Sequence, residues 1–176
     1  SFLNPSIKNF LPNPNILNDM EKSSLRVENA IKNNEKIGIF GDYDVDGACA
    51  AALLIQIMRQ LGVTCDVHIP NRFREGYGPN IDALMALREK GASLLVTVDC
   101  GITAYAPLAA VAETGMDVIV IDHHIAGPEL PKAHSVVNPN RLDEDGAYGY
   151  LCATSMVFVV IAGMLRTLRQ RGYFST

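Results

Sequence analysis

The sequence predicts an α/β fold, with a doubly wound, mainly parallel sheet and helices on both of its faces. Two observations lead to this prediction. Short apolar segments alternate with longer Ala- and Leu-rich segments along the chain, which is the order that successive βα units produce. Most of the short segments are also continuous apolar runs, as strands covered on both faces require.

The elements follow from local signals in chain order. Strands are predicted over residues 36–40, 63–69, 94–98, 117–121 and 135–137. Helices are predicted over residues 19–34, 48–61, 80–90, 105–114 and 151–171. Asn18 or Asp19 can cap the first helix and Asn80 the third, since asparagine and aspartate favour that position. Residues 1–35 are therefore expected to form an N-terminal arm and helix, and residues 36–176 the α/β domain.

Length and composition limit the class of protein. The 176 residues carry a formal net charge of −4 and are 48% hydrophobic, which excludes intrinsic disorder. The longest apolar run, over residues 156–165, is about half of the roughly 20 residues that a membrane helix needs. We expect neither a secretory signal nor contact with a membrane. The four cysteines form no CxxC pair, which argues against a zinc ribbon or a disulfide scaffold and favours a reducing cytoplasm.

Acidic side chains and two histidines follow three of the predicted strands. They are Asp42, Asp44 and Asp46 after the first strand, Asp99 after the third, and Asp122, His123 and His124 after the fourth. Because the carboxyl ends of parallel strands meet at one edge of a sheet, these groups are expected to converge. So many like charges repel one another, and a bound divalent cation would relieve the repulsion. Mixed carboxylate and imidazole ligation suits manganese, iron or zinc, and magnesium is an alternative.

Simpler interpretations apply to each part of this pattern. Asp-x-Asp-x-Asp-Gly is also a calcium-loop pattern, but Leu53 stands where an EF-hand needs its bidentate glutamate. One of the three aspartates can cap the following helix, although three in five residues exceed what a cap requires. His68 is interpreted as structural, His134 as solvated and Cys100 as a buried, inert thiol. The acidic residues 143–145 are interpreted as a solvated loop.

Successive motifs resemble the DHH phosphoesterase family. They are GDYDVDG at residues 41–47, TVDCG at 97–101 and DHH at 122–124. Two further segments, PNRFREGYG at 70–78 and VVNPN at 136–140, are similar to the single-strand-specific DNA exonucleases of that family. The similarity covers nearly the whole chain, and five motifs in order are far more specific than one DHH triplet.

The resemblance implies degradation of single-stranded DNA from the 5′ end to mononucleotides, with Mn²⁺ or Mg²⁺ as cofactor, in DNA repair and recombination. The metal ligands that it implies are Asp44, Asp46, Asp99 and His123, with Asp99 bridging two ions in the complete protein. Asp42 is implied either as a further metal ligand or as a group that hydrogen-bonds to one. It implies that Asp122 orients the neighbouring imidazole and that His124 faces the scissile phosphate, so both are expected to be catalytic. Arg72, Arg74 and Tyr77 would contact the DNA. Single-strand-binding protein and a helicase are the implied protein partners.

Two departures from the family pattern stand out. Phe40 occupies a position where some members carry a histidine, so one ion would need a different ligand set. Members are also considerably longer, with a further metal-binding aspartate, a second domain and an OB-fold. We therefore expect an amino-terminal catalytic portion that, taken alone, binds manganese weakly and turns over slowly. The alternatives are a small-substrate DHH phosphoesterase, acting on oligoribonucleotides, cyclic dinucleotides or polyphosphate, and a haloacid-dehalogenase-type phosphatase, which would leave the DHH triplet unexplained.

Overall fold

The centre of the molecule is a parallel β-sheet. The computed structural model describes residues 13–174, together with Asn4, Ser6 and Leu11, so most of the predicted arm lies outside the described residues. Within that range the sheet has five strands, in the order β2-β1-β3-β4-β5, and every adjacent pair is parallel. The strands are β1 (Lys36–Gly41), β2 (Cys65–His68), β3 (Ala92–Val98), β4 (Asp117–Ile121) and β5 (Ser135–Val137). This topology confirms the predicted doubly wound α/β fold.

Helices cover both faces of the sheet. The described residues contain α1 (Met20–Lys32), α2 (Val45–Gln60), α3 (Ile81–Glu89), α4 (Tyr105–Glu113) and α5 (Ala153–Gln170), and a short 3₁₀ turn, Pro14–Ile16, precedes them. Helices α1, α2 and α5 pack on one face, and α3 and α4 pack on the other. None of these helices has the length and apolar character needed to cross a bilayer.

The apolar runs of the strands supply both cores. In β1, Ile37 and Ile39 point into the cluster under α1, α2 and α5, whereas Phe40 points into the cluster under α3 and α4. Successive side chains of a strand face opposite sides of the sheet, so a strand buried on both sides must be apolar at every position. This requirement explains why the runs are continuous.

The structure corrects the predicted start of α1. Asp19 occupies the N-cap position, but its backbone is left-handed, with φ of 60°, and its side chain caps nothing. The Asp19 carboxylate instead accepts hydrogen bonds from the Val136 amide, at 3.0 Å, and from Arg141 Nη1, at 3.1 Å. These two donors belong to β5 and to the loop after it, so tertiary contacts override the local capping preference. The effect is to fasten α1 to the edge of the sheet.

The order of the strands creates a crevice between β1 and β3. The chain passes from β1 to β2 on one side and then returns to β3 on the other side of β1. The connections after β1 and β3 therefore diverge to opposite faces, and open α/β sheets bind their ligands at such switch points. The residues that follow β1 and β3 include four of the predicted site aspartates.

Candidate active site

Three aspartates extend the ladder of the sheet by one hydrogen bond each. The Asp42 amide donates to the Val98 carbonyl at 3.3 Å, Asp99 to Ile121 at 3.1 Å, and Asp122 to Val137 at 3.2 Å. The three residues are 3%, 2% and 0% exposed. The three carboxylates are thus buried at the same level of one sheet edge, where the sequence predicted that they would meet.

Two groups of donor atoms lie close enough together to hold a cation. Among the described residues, ligand atoms fall within 4.8 Å of one another in the set Asp42, Asp44 and Asp99 and in the set Asp99, His123 and His124. Asp99 belongs to both groups. Its Oδ1 atom also lies 3.2 Å from His123 Nε2.

The donor atoms fit divalent manganese or magnesium. Carboxylate oxygens suit both ions, and the imidazole suits manganese in particular. The Oδ1 atom of Asp42 is buried and has no hydrogen-bond partner within the described part of the chain. A buried polar atom without a partner is costly, and a cation at this point would supply one.

The electrostatics of the cluster also favour a bound cation. Burial and the negative charges of Asp46 and Asp44 raise the pKa of Asp99 to about 8. Burial, and then the charge of Asp44, raise the pKa of Asp42 as well. The metal-free protein therefore resists placing full negative charge on this cluster, as the sequence led us to expect.

Asp44 serves as the cap of α2. Its Oδ1 atom accepts a hydrogen bond from the Gly47 amide at 2.9 Å, which matches the expectation that one of the three aspartates would cap. Gly47 is needed for this turn, because a Cβ atom there would lie 2.6 Å from the Asp42 carbonyl oxygen and 2.7 Å from its nitrogen. The close approach holds Asp42 and Asp44 on one tight loop.

Asp46 faces the same cluster and contacts α5 as well. Its Oδ2 atom lies 3.9 Å from His123 Nε2, and both of its oxygens accept hydrogen bonds from the first residues of α5. Burial alone would raise the pKa of Asp46, but hydrogen bonds from Thr154 and Ala153 outweigh it and lower the pKa. Asp46 is thus held charged at the edge of the cluster.

Asp122 organises the two histidines. Its Oδ1 atom accepts the amides of His123, at 2.7 Å, and of His124, at 3.2 Å, and lies 2.7 Å from His124 Nδ1. Its Oδ2 atom accepts the Ile102 amide at 3.0 Å. The hydrogen bond to Asp122 raises the pKa of His124. The ring of His124 is therefore oriented with Nε2 towards the open side of the crevice.

Two asparagines hold the histidine loop from behind, a role that sequence reasoning missed. Asn138 Nδ2 donates to the His124 carbonyl at 2.9 Å, and Asn138 Oδ1 accepts the Asn140 amide at 2.7 Å. Asn140 Nδ2 donates to the carbonyls of His123 and Gly149. With its carbonyl engaged on this side, His123 directs Nε2 to Asp99, whereas His124 contacts Asp122 through Nδ1. The VVNPN motif was the signal, but its contacts are all tertiary.

The predicted DNA-contacting residues lie unequally near the site. The Tyr77 hydroxyl is 3.5 Å from His124 Nε2, and Arg72 lies 5.5 Å above the ring of Tyr43. Tyr43 was not singled out in the sequence, yet its ring packs edge-on against Tyr77 at 6.4 Å. Arg74 is exposed on the same loop and is not brought into this group.

Glu75 and His68 brace the loop that carries these residues. Glu75 accepts the Asn71 amide at 2.7 Å and lies 2.6 Å from His68 Nε2. The hydrogen bond from Asn71, followed by that from His68, lowers the pKa of Glu75. His68 stacks on Phe40 at 5.4 Å, so its interpretation as structural agrees with the structure. Phe40 is fully buried there and offers nothing to a cation.

The structure agrees with the interpretation of Cys100 but not with that of the acidic residues 143–145. Cys100 is buried and burial raises its pKa well above the ordinary value, as an inert thiol requires. The acidic loop 143–145 is not simply solvated. Asp143 forms a double hydrogen bond with Arg141, at 2.8 and 2.7 Å, and Glu144 accepts the Asn18 amide at 2.6 Å. The contact between Asn18 and Glu144 attaches the loop to the residues before α1, which no local pattern reveals.

Fold and site together define a parallel α/β domain with a carboxylate and imidazole centre, suited to divalent cations, at its switch-point crevice. The chain belongs to the DHH family: the family model described as the N-terminal domain matches residues 36–173.

Curated relatives carry the name single-stranded-DNA-specific exonuclease RecJ. The Bacillus subtilis protein is 43% identical over 122 residues, covering 69% of this chain and 16% of its own length. The Escherichia coli protein is 36% identical over 173 residues, covering 98% of this chain and 30% of its own. The chain thus spans less than a third of these relatives.

Solved structures give the same result. A crystal structure of exonuclease RecJ bound to manganese superposes with a TM-score of 0.79 at 32% identity, covering 86% of this chain and 38% of the other. The structure of RecJ with Mn²⁺ from Thermus thermophilus gives a TM-score of 0.72 at 27% identity, covering 87% of this chain and 22% of the other.

Proposed function

We propose that this chain is the metal-binding domain of a nuclease that degrades single-stranded DNA from the 5′ end to mononucleotides. The observation that carries the proposal is the position of Tyr77, whose hydroxyl lies 3.5 Å from His124 Nε2. That contact joins a surface of aromatic and basic side chains to the histidine beside the carboxylate cluster. Single-stranded DNA fits this arrangement. Its unpaired bases and phosphates suit the aromatic and basic side chains, and its scissile phosphate suits the histidine and the carboxylate cluster.

In this proposal the metal ligands are Asp42, Asp44, Asp46, Asp99 and His123, and the ions are Mn²⁺ or Mg²⁺. Asp99 is shared because its carboxylate belongs to both groups of donor atoms. Two bound ions would lower the pKa of a water and neutralise charge on the phosphate. The buried position of Asp42 and Asp99 limits access of bulk water to the ligand atoms.

His124 and Asp122 act on the phosphate side. Asp122 holds the imidazole through Nδ1 and leaves Nε2 directed at the crevice. An imidazole whose pKa is raised retains its proton more readily and can donate it to a phosphate oxygen or to the departing oxygen. Both residues are therefore proposed as catalytic, with Asp122 acting through His124.

Arg72, Arg74 and Tyr77 are proposed to bind the DNA, and we add Tyr43. Arginines can form forked contacts with phosphate. Tyrosine rings stack on any base, but only when that base is unpaired, which favours single strands over duplexes. Single-strand-binding protein and a helicase, which handle such strands in repair and recombination, are the protein partners that we propose. A cytoplasmic location is consistent with these substrates.

The small-substrate alternative is not favoured. The curated relatives are named as single-strand-specific DNA exonucleases, and the arginine and tyrosine loop provides contacts that a dinucleotide would not need. A mixture of single-stranded DNA, oligoribonucleotide and cyclic dinucleotide in one assay would separate the two functions. Preferential hydrolysis of either ribonucleotide would contradict the proposal.

The metal centre can be tested by calorimetric titration with MnCl₂. We expect Asp99→Asn to abolish binding and Asp44→Ala to weaken it, because both remove charged ligand atoms. Asp82→Asn is the matched control, since Asp82 is exposed on α3 and should leave binding unchanged. Unaltered manganese affinity in Asp99→Asn would overturn the assignment of the site.

The nuclease activity is tested with protein expressed from the complete gene. We expect manganese-dependent release of mononucleotides from a 5′-phosphorylated single-stranded oligonucleotide, and no release from the same strand in a duplex. Arg72→Ala should weaken binding of oligothymidylate and reduce its salt dependence, whereas Arg59→Ala, an exposed change on α2, should not. Equal hydrolysis of duplex and single strand would contradict the proposed specificity.

A further inference from the structure

The N-terminus of α5 is capped by Asp46, which lies 107 residues before Ala153 in the chain. Asp46 Oδ1 accepts hydrogen bonds from the Thr154 amide, at 2.8 Å, and from Thr154 Oγ1, at 2.6 Å. Asp46 Oδ2 accepts the Ala153 amide at 2.7 Å. Cys152, at the N-cap position of α5, makes no capping hydrogen bond. Asp46 therefore replaces the cap that α5 lacks locally.

The same carboxylate faces the cluster of aspartates and histidines. Asp46 Oδ2 lies 3.9 Å from His123 Nε2, and the Asp46 side chain is 24% exposed. An ionised carboxylate offers about four acceptor positions. Residues 153 and 154 donate two hydrogen bonds to Oδ1 and one to Oδ2, and the Cys152 thiol is a further, weaker donor to the carboxylate. Oδ2 accepts only one of the three hydrogen bonds from residues 153 and 154, and it is the oxygen nearer to His123.

We propose that Thr154 is a positioning residue that fixes the Asp46 carboxylate for the metal centre. This inference rests on the proposed function, since it concerns the orientation of one of the proposed ligands. The Thr154 hydroxyl and amide hold Oδ1, the Ala153 amide holds one side of Oδ2, and the carboxylate cannot rotate without breaking all three contacts. Oδ2 is then held in a constant position relative to His123.

The hydroxyl is the part of this arrangement that a substitution can remove. The backbone amides of residues 153 and 154 persist in any variant that keeps α5 folded. Thr154→Val removes the hydroxyl at nearly constant shape, and Thr154→Ser restores it. Without the hydroxyl, Oδ1 retains a single donor and the carboxylate gains rotational freedom at the point where it faces the cluster.

The test is calorimetric titration of the metal-free chain with MnCl₂. Because groups that orient metal ligands are typically worth roughly 10- to 100-fold in affinity, we expect Thr154→Val to weaken manganese binding by about tenfold or more. Thr154→Ser should bind nearly as well as the unsubstituted chain. Thr167→Val makes the same chemical change on α5, about 20 Å further along the helix axis, and should have no effect.

Melting of the metal-free variants separates positioning from general stability. Val160→Ala, at a buried site on α5, should lower the melting temperature at least as much as Thr154→Val but leave manganese affinity unchanged. If Thr154→Val lowers only the melting temperature, Thr154 is a helix-capping residue and the inference is wrong. If the unsubstituted chain binds no manganese, the proposed function fails and this inference fails with it.

Discussion

His124 Nδ1 lies 2.7 Å from Asp122 Oδ1, and this contact determines which ring nitrogen faces the crevice. Asp122 is fully buried, and in the described part of the chain its partners are all donors: His124 and the amides of Ile102, His123 and His124. A carboxylate accepts at both oxygens, so it suits this environment where an amide would not. The contact between Asp122 and His124 therefore requires the charge of the Asp122 carboxylate as well as its shape.

Asp122→Asn should destabilise the chain by about 1–3 kcal/mol, because the new NH₂ group must face a buried N–H donor. The same change should reduce the proposed hydrolysis of single-stranded DNA, since His124 loses its fixed orientation. Urea denaturation measures the first effect, with Asp145→Asn, an exposed change, as the control. Equal denaturation midpoints for Asp122→Asn and the unsubstituted chain would show that the buried acceptor is not required.

Asn140→Asp should damage both stability and manganese binding. The substitution replaces the Nδ2 donor with an oxygen that faces the carbonyls of His123 and Gly149, at a cost of about 1–3 kcal/mol for the unpaired groups. Asn29→Asp introduces the same charge at an exposed position of α1 and serves as the control. Comparable manganese affinities in the two variants would mean that the histidine loop does not depend on Asn140.

Two neighbouring serines on α1 should respond oppositely to alanine. Ser23 Oγ forms a buried hydrogen bond to Ser135 Oγ at 2.8 Å, so Ser23→Ala should cost about 1–2 kcal/mol by leaving Ser135 unpaired. Ser24 Oγ is buried, without a partner in the described residues, beside an apolar cavity that Val27 and Leu54 help to line. Ser24→Ala should therefore be neutral or stabilising. Thermal melting of both variants tests this prediction. A larger drop in melting temperature for Ser24→Ala than for Ser23→Ala would contradict it.

Glu35 should make stability depend on pH. Burial alone would raise its pKa, but hydrogen bonds from Arg26, at 2.7 Å, and Ser93, at 2.6 Å, outweigh it and lower the pKa. A lowered pKa in the folded state stabilises the fold above the unfolded value, 4.5, and this stabilisation is lost as the pH falls through the folded value. Glu35→Gln should thus be less stable than the unsubstituted chain at pH 7.

The difference between these two proteins should shrink as the pH falls below about 4.5. Urea denaturation at a series of pH values measures it. Glu113→Gln, an exposed change on α4, should follow the unsubstituted chain throughout. A difference for Glu35→Gln that is constant from pH 7 to pH 3 would assign the loss to packing instead of charge.

The strands and the convergence of the site residues were predictable, because both follow from the pattern of residues within and directly after each strand. The run after Lys36 is apolar at every position since it is buried on both faces, and parallel strands must place Asp42, Asp99 and Asp122 at one edge. β2 is less regular. Its predicted span of residues 63–69 shortens to Cys65–His68 because it lies at the edge of the sheet.

What the sequence did not reveal are contacts between distant segments. Asp46 meets α5 after 107 residues, and Asn140 reaches the His123 carbonyl across another loop. Tyr43 sits between two aspartates, and only the folded loop of residues 70–78 shows that its ring faces Tyr77 and Arg72. None of these pairings follows a helical or strand period, so no periodicity could have predicted them.

Asp99 stands in the left-handed region, with φ of 62°, a conformation that costs a non-glycine residue on the order of 1 kcal/mol. Glycine at this position would relax the backbone and also remove a carboxylate from a crowded, repulsive neighbourhood. Engineering this domain for heat resistance would therefore tend to eliminate the carboxylate that both groups of donor atoms share. Stability and metal binding therefore favour different residues at position 99. A hyperstable variant selected without metal should be checked first at that position.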